Sequence, residues 1–252
     1  MLGTAFPHLL KNREFELPWK TVLHITSVIA VIGGFLMILF VGDGPFRKSS
    51  GGFRWDAFGK IFGSKKWRQA AFGYFGHMWE LYAFWGFTPL VLSLYAEKHQ
   101  TDLNVPLLSF LIIGAGSIGC VAGGYLSATW GSARVAFITL FISGCCCLLS
   151  PLFYQLPFFI FITLLMIWGL TAAADSPQFS TLVAQYAPAE LRGTALTIYN
   201  SIGFAITTVS LVVIDRLFYS DLFLAEDKAL LVLGLGALFG LPGILRLTRQ
   251  KK

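Results

Sequence analysis

The chain has 252 residues, of which 56% are hydrophobic and only 13% charged, whereas a soluble domain carries about 25% charged residues. The net charge of +6 follows the segments between apolar runs, which suits membrane topology and argues against a nucleic-acid partner. The four cysteines, Cys120 and the run Cys145-Cys146-Cys147, lie inside apolar runs without metal-ligand spacing, so no metal or other cofactor is expected.

Seven apolar runs follow one another at roughly 21–41, 70–95, 106–130, 135–154, 156–174, 194–214 and 229–245. Each is close to the ~20 residues that cross a hydrocarbon core. The fifth continues with helical character past Asp175 toward Tyr186. The expected fold is an all-α membrane protein, a polytopic bundle of about seven transmembrane helices. Placing the 43–69 segment on the cytoplasmic side puts 13 of the 19 Lys and Arg on that side and 6 on the other. That bias predicts a cytoplasmic C-terminus in a multi-pass protein of the inner (plasma) membrane, and an external N-terminus. A chain that starts outside without a basic n-region and an apolar h-region reads as truncated at its N-terminus, with Met1–Leu10 the tail of an earlier span.

The 43–69 linker begins Gly/Ser-rich at Ser49-Ser50-Gly51-Gly52 and becomes basic and aromatic. Phe58, Ile61 and Phe62 fall at helical spacing, which predicts an amphipathic helix on the cytoplasmic leaflet, with a plain juxtamembrane loop as the alternative.

The second run, Gly73-Tyr-Phe-Gly-His77-Met-Trp-Glu80-Leu-Tyr82-Ala-Phe-Trp85, places two ionisable groups on one helix face inside a span. A charge in hydrocarbon costs at least ~3 kcal/mol, so these groups must meet protein or water. Glu80 suits a residue that takes and loses a proton, with His77 as relay. A structural Glu–His or Glu–backbone hydrogen bond is the other reading.

Gly114-Ala-Gly116-Ser-Ile-Gly119 matches the dinucleotide fingerprint GxGxxG, but no Asp or Glu occurs between Asp102 and Asp175 to hold a ribose. Ala115, Gly119 and Gly123 recur every four residues and favour close helix packing instead, and Gly236 and Gly240 repeat that spacing. Ala115-Gly-Ser117-Ile-Gly119 lacks the first glycine of a nucleophile elbow, and no His or acid lies nearby in the sequence. In the fifth run, Asp175-Ser176-Pro177-Gln178-Phe-Ser180 gathers polar groups around a helix-breaking proline. It reads either as a binding site in a broken helix or as an ordinary helix end. Tyr82 and Asn200 are weaker pathway candidates, more usual as an interfacial anchor and an interhelical hydrogen-bond partner.

Two loops carry a family resemblance. Gly124-Tyr-Leu-Ser-Ala128-Thr-Trp-Gly131-Ser132-Ala-Arg134 resembles the G-x-L-[SA]-D-x-x-G-R loop of the major facilitator superfamily in its second-half form, with Ala128 at the acidic position. Pro188-Ala-Glu-Leu-Arg192-Gly193-Thr-Ala195 resembles the P-x-x-x-R-G-x-A stretch that leads into the fifth helix of either half. The resemblance implies a tail of the first bundle at 1–42 (the end of one span plus one full span), a cytoplasmic linker at 43–69, a six-helix bundle at 70–247 and a basic tail at 248–252. It implies a secondary transporter of a small solute working by alternating access, and not an enzyme, and the shared face of Glu80 and His77 inside a span adds the expectation of proton coupling through Glu80. The substrate branch stays open. The expected partners are the lipid bilayer, a small-molecule substrate and a missing N-terminal half. A membrane-embedded enzyme, or a non-functional or partner fragment of a split transporter, are the alternatives.

Overall fold

A computed structural model describes residues 2–10, 17–42, 56–219 and 226–249, and among them every regular element is helical. The helices are α1 (Leu2–Leu10), α2 (Trp19–Phe40), α3 (Asp56–Gly63), α4 (Lys65–His99), α5 (Val105–Trp130), α6 (Ser132–Phe153), α7 (Phe158–Ala174), α8 (Ser176–Tyr186), α9 (Arg192–Tyr219) and α10 (Gly234–Thr248). Short 3-10 stretches at Ala189–Leu191 and Glu226–Leu233 lead into α9 and α10.

Six stretches are long and apolar enough to cross a bilayer: Lys20–Phe40, Val105–Trp130, Ser132–Phe153, Phe158–Tyr186, Ala189–Tyr219 and Lys228–Thr248. This is a multi-pass membrane protein. Helix α4, which holds the second apolar run, is not among the six. It has ample length, 35 residues or about 52 Å, but it is less apolar because much of its surface meets protein instead of lipid. It packs against α10, α9 and α8 and buries Gln69, His77, Glu80 and Thr88 among its apolar residues.

Glycine contacts explain how closely the helices approach α4. A Cβ on Gly76 would overlap the carbonyl oxygen of Gly236, and one on Gly236 would overlap that of Gly76. Next along the seam, a Cβ on Gly240 would lie 3.1 Å from Gly73 O, and one on Gly243 would lie 2.8 Å from Gln69 O. Two backbones are therefore in direct contact, as the Gly236/Gly240 spacing suggests. The other small-residue stripe is used in the same way: Gly119 faces the Leu170 carbonyl, Gly123 faces Ala174 O at 3.0 Å, and Gly169 of α7 faces the Ile112 carbonyl. Gly119, the last glycine of the GxGxxG run, thus sits in a seam between α5 and α7.

The fifth span is interrupted. Helix α7 ends at Ala174, Asp175 sits at the junction, and α8 restarts at Ser176 with Pro177 in its first turn, where a missing N–H costs nothing. Gly131 joins α5 to α6 at φ +83°, a backbone state that an L side chain disfavours, so a glycine is required there. Short α3 buries Ala57 and Ile61, and Phe62 packs edge-on against Trp67 at 4.9 Å, so its apolar face is taken up by the bundle.

Cross-links tie each end. At one end Ser64 Oγ donates to Tyr186 O (3.3 Å), and the Lys66 ammonium sits 5.7 Å from the Tyr186 ring centre. At the other end Tyr95 Oη donates to Leu156 O (2.8 Å) and stacks on Phe161 at 3.9 Å. The buried apolar residues form two clusters, one around Phe84, Trp168 and Phe161, the other around Tyr74, Phe179 and Tyr199. Helix α2 stands apart, with large apolar residues exposed all round, such as Ile38 at 80% and Phe40 at 79%. Only lipid or another protein surface can cover such a helix.

Candidate functional site

Between the two apolar clusters, near the middle of α4, lie the buried His, Asp and Glu side chains of the described residues: His77, Glu80 and Asp175, none more than 1% exposed. The i, i+3 spacing puts His77 and Glu80 on one face of α4, yet they reach different helices. His77 turns to the α7–α8 junction, where Nδ1 lies 2.9 Å from Asp175 Oδ1 and Nε2 lies 2.8 Å from Ser176 Oγ. Asp175 occupies the N-cap position of α8, but its carboxylate makes no capping bond and is spent on His77. Its Oδ2 is buried without a hydrogen-bond partner.

Glu80 turns to α6 and α7. Trp168 Nε1–H donates to Oε1 at 2.7 Å, and Ser143 Oγ lies 3.1 Å from Oε2. Ser143 Oγ is also 3.2 Å from Leu140 O, so a proton on Oε2 would complete a chain from Glu80 through Ser143 to the Leu140 carbonyl. One carboxyl thus ties three helices together.

An aromatic layer lies beside the pair. Tyr74 and Tyr199 stack at 3.6 Å between ring centres, and Tyr74 also stacks on His77 at 5.8 Å. Tyr74 Oη donates to Oδ1 of exposed Asn200 (3.0 Å), and Tyr199 Oη is 3.4 Å from Ser180 Oγ. These hydroxyls and the amide lie beside the pair, and the hydrogen bond that leads from His77 toward the surface is that of Ser176.

The other expected residues fall elsewhere. Gln178 is buried but turned to α5, with its Nε2 3.7 Å from the Cβ position of Gly123. Tyr82 is half-buried and edge-on to Trp85 at 5.2 Å, with Phe204 5.7 Å away. Arg134, Arg192 and Gly193 are exposed near the starts of α6 and α9, Gly124 is exposed in α5 beside Gly123, which packs on Ala174, and Gly131 is the sharp turn described above. For Glu80 and His77, expected to meet protein or water, it is protein that supplies the contacts. Both side chains are enclosed inside the bundle, because neighbouring helices supply every hydrogen-bond partner their heads need.

Sequence reasoning passed over Trp168, Ser143 and the Tyr74/Tyr199 stack. The one signal available was Trp168, an indole N–H in the middle of an apolar run, which needs an acceptor inside the protein.

Comparison with known proteins agrees with the fold. The family model of the Major Facilitator Superfamily matches residues 2–211. A 97-residue stretch is 36% identical to the probable galactarate/D-glucarate transporter GudP of Escherichia coli (strain K12), covering 36% of this chain and 21% of that protein. The chain therefore spans about a fifth of the length of the curated relative it matches.

Proposed function

The chain belongs to the major facilitator superfamily, and on that premise we propose that it works in a secondary active transporter that moves a small solute by alternating access, coupled to protons through the His77–Asp175 pair. The observation that carries this reading is a buried imidazole–carboxylate pair at a helix break, hydrogen-bonded to the half-buried Ser176 hydroxyl. Ionisable groups in a span are costly and persist where ions or substrates pass, and broken helices build such sites. Asn200 and Tyr82, at the partly open ends of the aromatic layer, are the side chains offered to a solute. Gln178 supports the break from behind. Glu80 holds α4, α6 and α7 in register around the pair.

Rocking requires two bundles, and the helices around α4 make one. The proposal includes a first-half bundle as partner, seated against the apolar surface of α2 and the open face of α8 and α9. The name of the relative makes galactarate and D-glucarate the first solutes to test.

In cells that express the chain with a first-half bundle, Asp175→Asn should lower uptake driven by an inward proton gradient by about 100-fold or more, while solute exchange at equal pH persists. Asparagine keeps the shape of the side chain but cannot take a proton. Gradient-driven uptake that survives in the variant would remove Asp175 from the coupling step.

The proposed orientation is an inner-membrane protein with a cytoplasmic C-terminus. Single cysteines introduced at Ser50 and Asp221 should be labelled by impermeant reagent from opposite faces of the membrane. Labelling of both from one face would overturn that orientation.

A further inference from the structure

Ser176 separates the buried pair from the open face of α8. It is half-buried, whereas His77 and Asp175 are enclosed and its neighbours Pro177, Ser180 and Thr181 are exposed. Its hydroxyl sits 2.8 Å from His77 Nε2, and the opposite ring nitrogen is 2.9 Å from Asp175. Nothing else demands that hydroxyl: Ser176 is the first residue of α8, and the N-cap position belongs to Asp175. The other buried carboxyl has no comparable exit, since Glu80 is closed in by the buried Trp168 and Ser143.

We propose that the Ser176 hydroxyl is the port through which the His77–Asp175 pair exchanges its proton with water. The inference rests on the proton-coupled reading above. With Nδ1–H directed at Asp175, His77 Nε2 accepts from the Ser176 O–H. A proton delivered by hydronium to Ser176 Oγ displaces the proton already there, so one O–H bond forms as the other breaks and an Nε2–H bond forms. The Nδ1–H bond then breaks as a proton passes to Asp175 Oδ1. The net result is a protonated Asp175, a regenerated hydroxyl and a His77 with its tautomer switched, and release runs the same steps in reverse. Other titratable groups face the pair from every side. They are Glu80 and Tyr74 on α4, Cys120 on α5 with its thiol 3.3 Å from Ala173 O, Cys146 and Cys147 on α6 beside Glu80, and Tyr199 on α9. None of them bridges His77 Nε2 to the open face.

The same Ser–His–Asp connectivity serves serine hydrolases. Here the residue after the serine is Pro177, which has no N–H, so the donor that forms half of the oxyanion hole at a nucleophile elbow is missing. The serine carries protons and does not attack acyl groups.

The test uses the full chain in lipid nanodiscs with 15N-labelled histidine and reads the solvent exchange rate of the His77 ring N–H together with its pH response. Ser176→Ala should slow exchange about 10-fold or more at unchanged melting temperature, and Ser176→Thr, which keeps the hydroxyl, should restore it. Ser176→Cys should exchange before treatment with a methanethiosulfonate and stop after it, judged against wild-type protein treated in parallel. That second comparison stands even if Ser176→Ala fails to fold. Unchanged exchange in Ser176→Ala, or after the cysteine is blocked, overturns the port, as does labelling of Ser176 by a fluorophosphonate. A wild-type His77 that ignores pH altogether overturns the proton-coupled reading instead.

Discussion

Gly76→Leu is expected to abolish assembly of the bundle. The Gly76 Cβ position falls on the carbonyl oxygen of Gly236, 2.9 Å from that residue's carbonyl carbon and 3.2 Å from Gly240 Cα. The obstacle is backbone, so no rotamer change relieves it, and α4 and α10 must separate along their whole seam. Overpacking against mobile side chains costs about 1–3 kcal/mol, and a forced separation of two backbones exceeds that range, to about 4 kcal/mol or more. Purified in mild detergent, the variant should elute as aggregate and lose its cooperative melting. Gly114→Leu is the matched control on α5, because a Cβ there meets nothing within 4 Å. A Gly76→Leu protein that elutes and melts like wild type would show that the α4–α10 contact is dispensable.

Helix existence was legible from apolar runs and basic loops because lipid imposes both patterns on the sequence directly. The small-residue stripes were legible for a related reason: a spacing of four marks a face, though not what the face meets. That Gly119 meets Leu170 and Gly236 meets Gly76 depends on helix order in space, which one helix does not encode. The helix that holds the cluster is the one whose run is least apolar, since a helix surrounded by protein is released from the composition that lipid demands. The site was legible in parts. His77 and Glu80 stand out as polar groups in a span, and Pro177 marks the break beside Asp175. Their pairing was not legible. His77 reaches Asp175 across 98 residues of sequence, and Glu80 finds Ser143 and Trp168 after 63 and 88. Residues that look like one cluster also part company: Ser176 faces His77, whereas Gln178 faces α5.

Glu80 gives the sharpest division between structure and coupling. Its carboxyl accepts from the Trp168 indole through one oxygen and meets Ser143 through the other. Glu80→Gln should keep both links, because the amide oxygen accepts from Trp168 while the NH2 donates to Ser143, whose own hydroxyl then donates to Leu140 O. Stability should change by less than about 1 kcal/mol, and gradient-driven uptake with the partner bundle should persist. Glu80→Leu fills the space but leaves the Trp168 indole N–H buried without an acceptor, at about 1–3 kcal/mol, while the Ser143 hydroxyl falls back on Leu140 O. It also releases the tie that holds α6 and α7 against α4, so a loss of several kcal/mol and a drop of many degrees in melting temperature are expected. Thermal melts of the two variants side by side, with uptake assays on whatever folds, separate the roles. A stable Glu80→Gln protein that has lost gradient-driven uptake would make Glu80 the proton carrier and leave His77–Asp175 as the structural link. A Glu80→Gln protein that transports would place the moving proton on the His77–Asp175 pair, where the half-buried Ser176 hydroxyl gives it a way out.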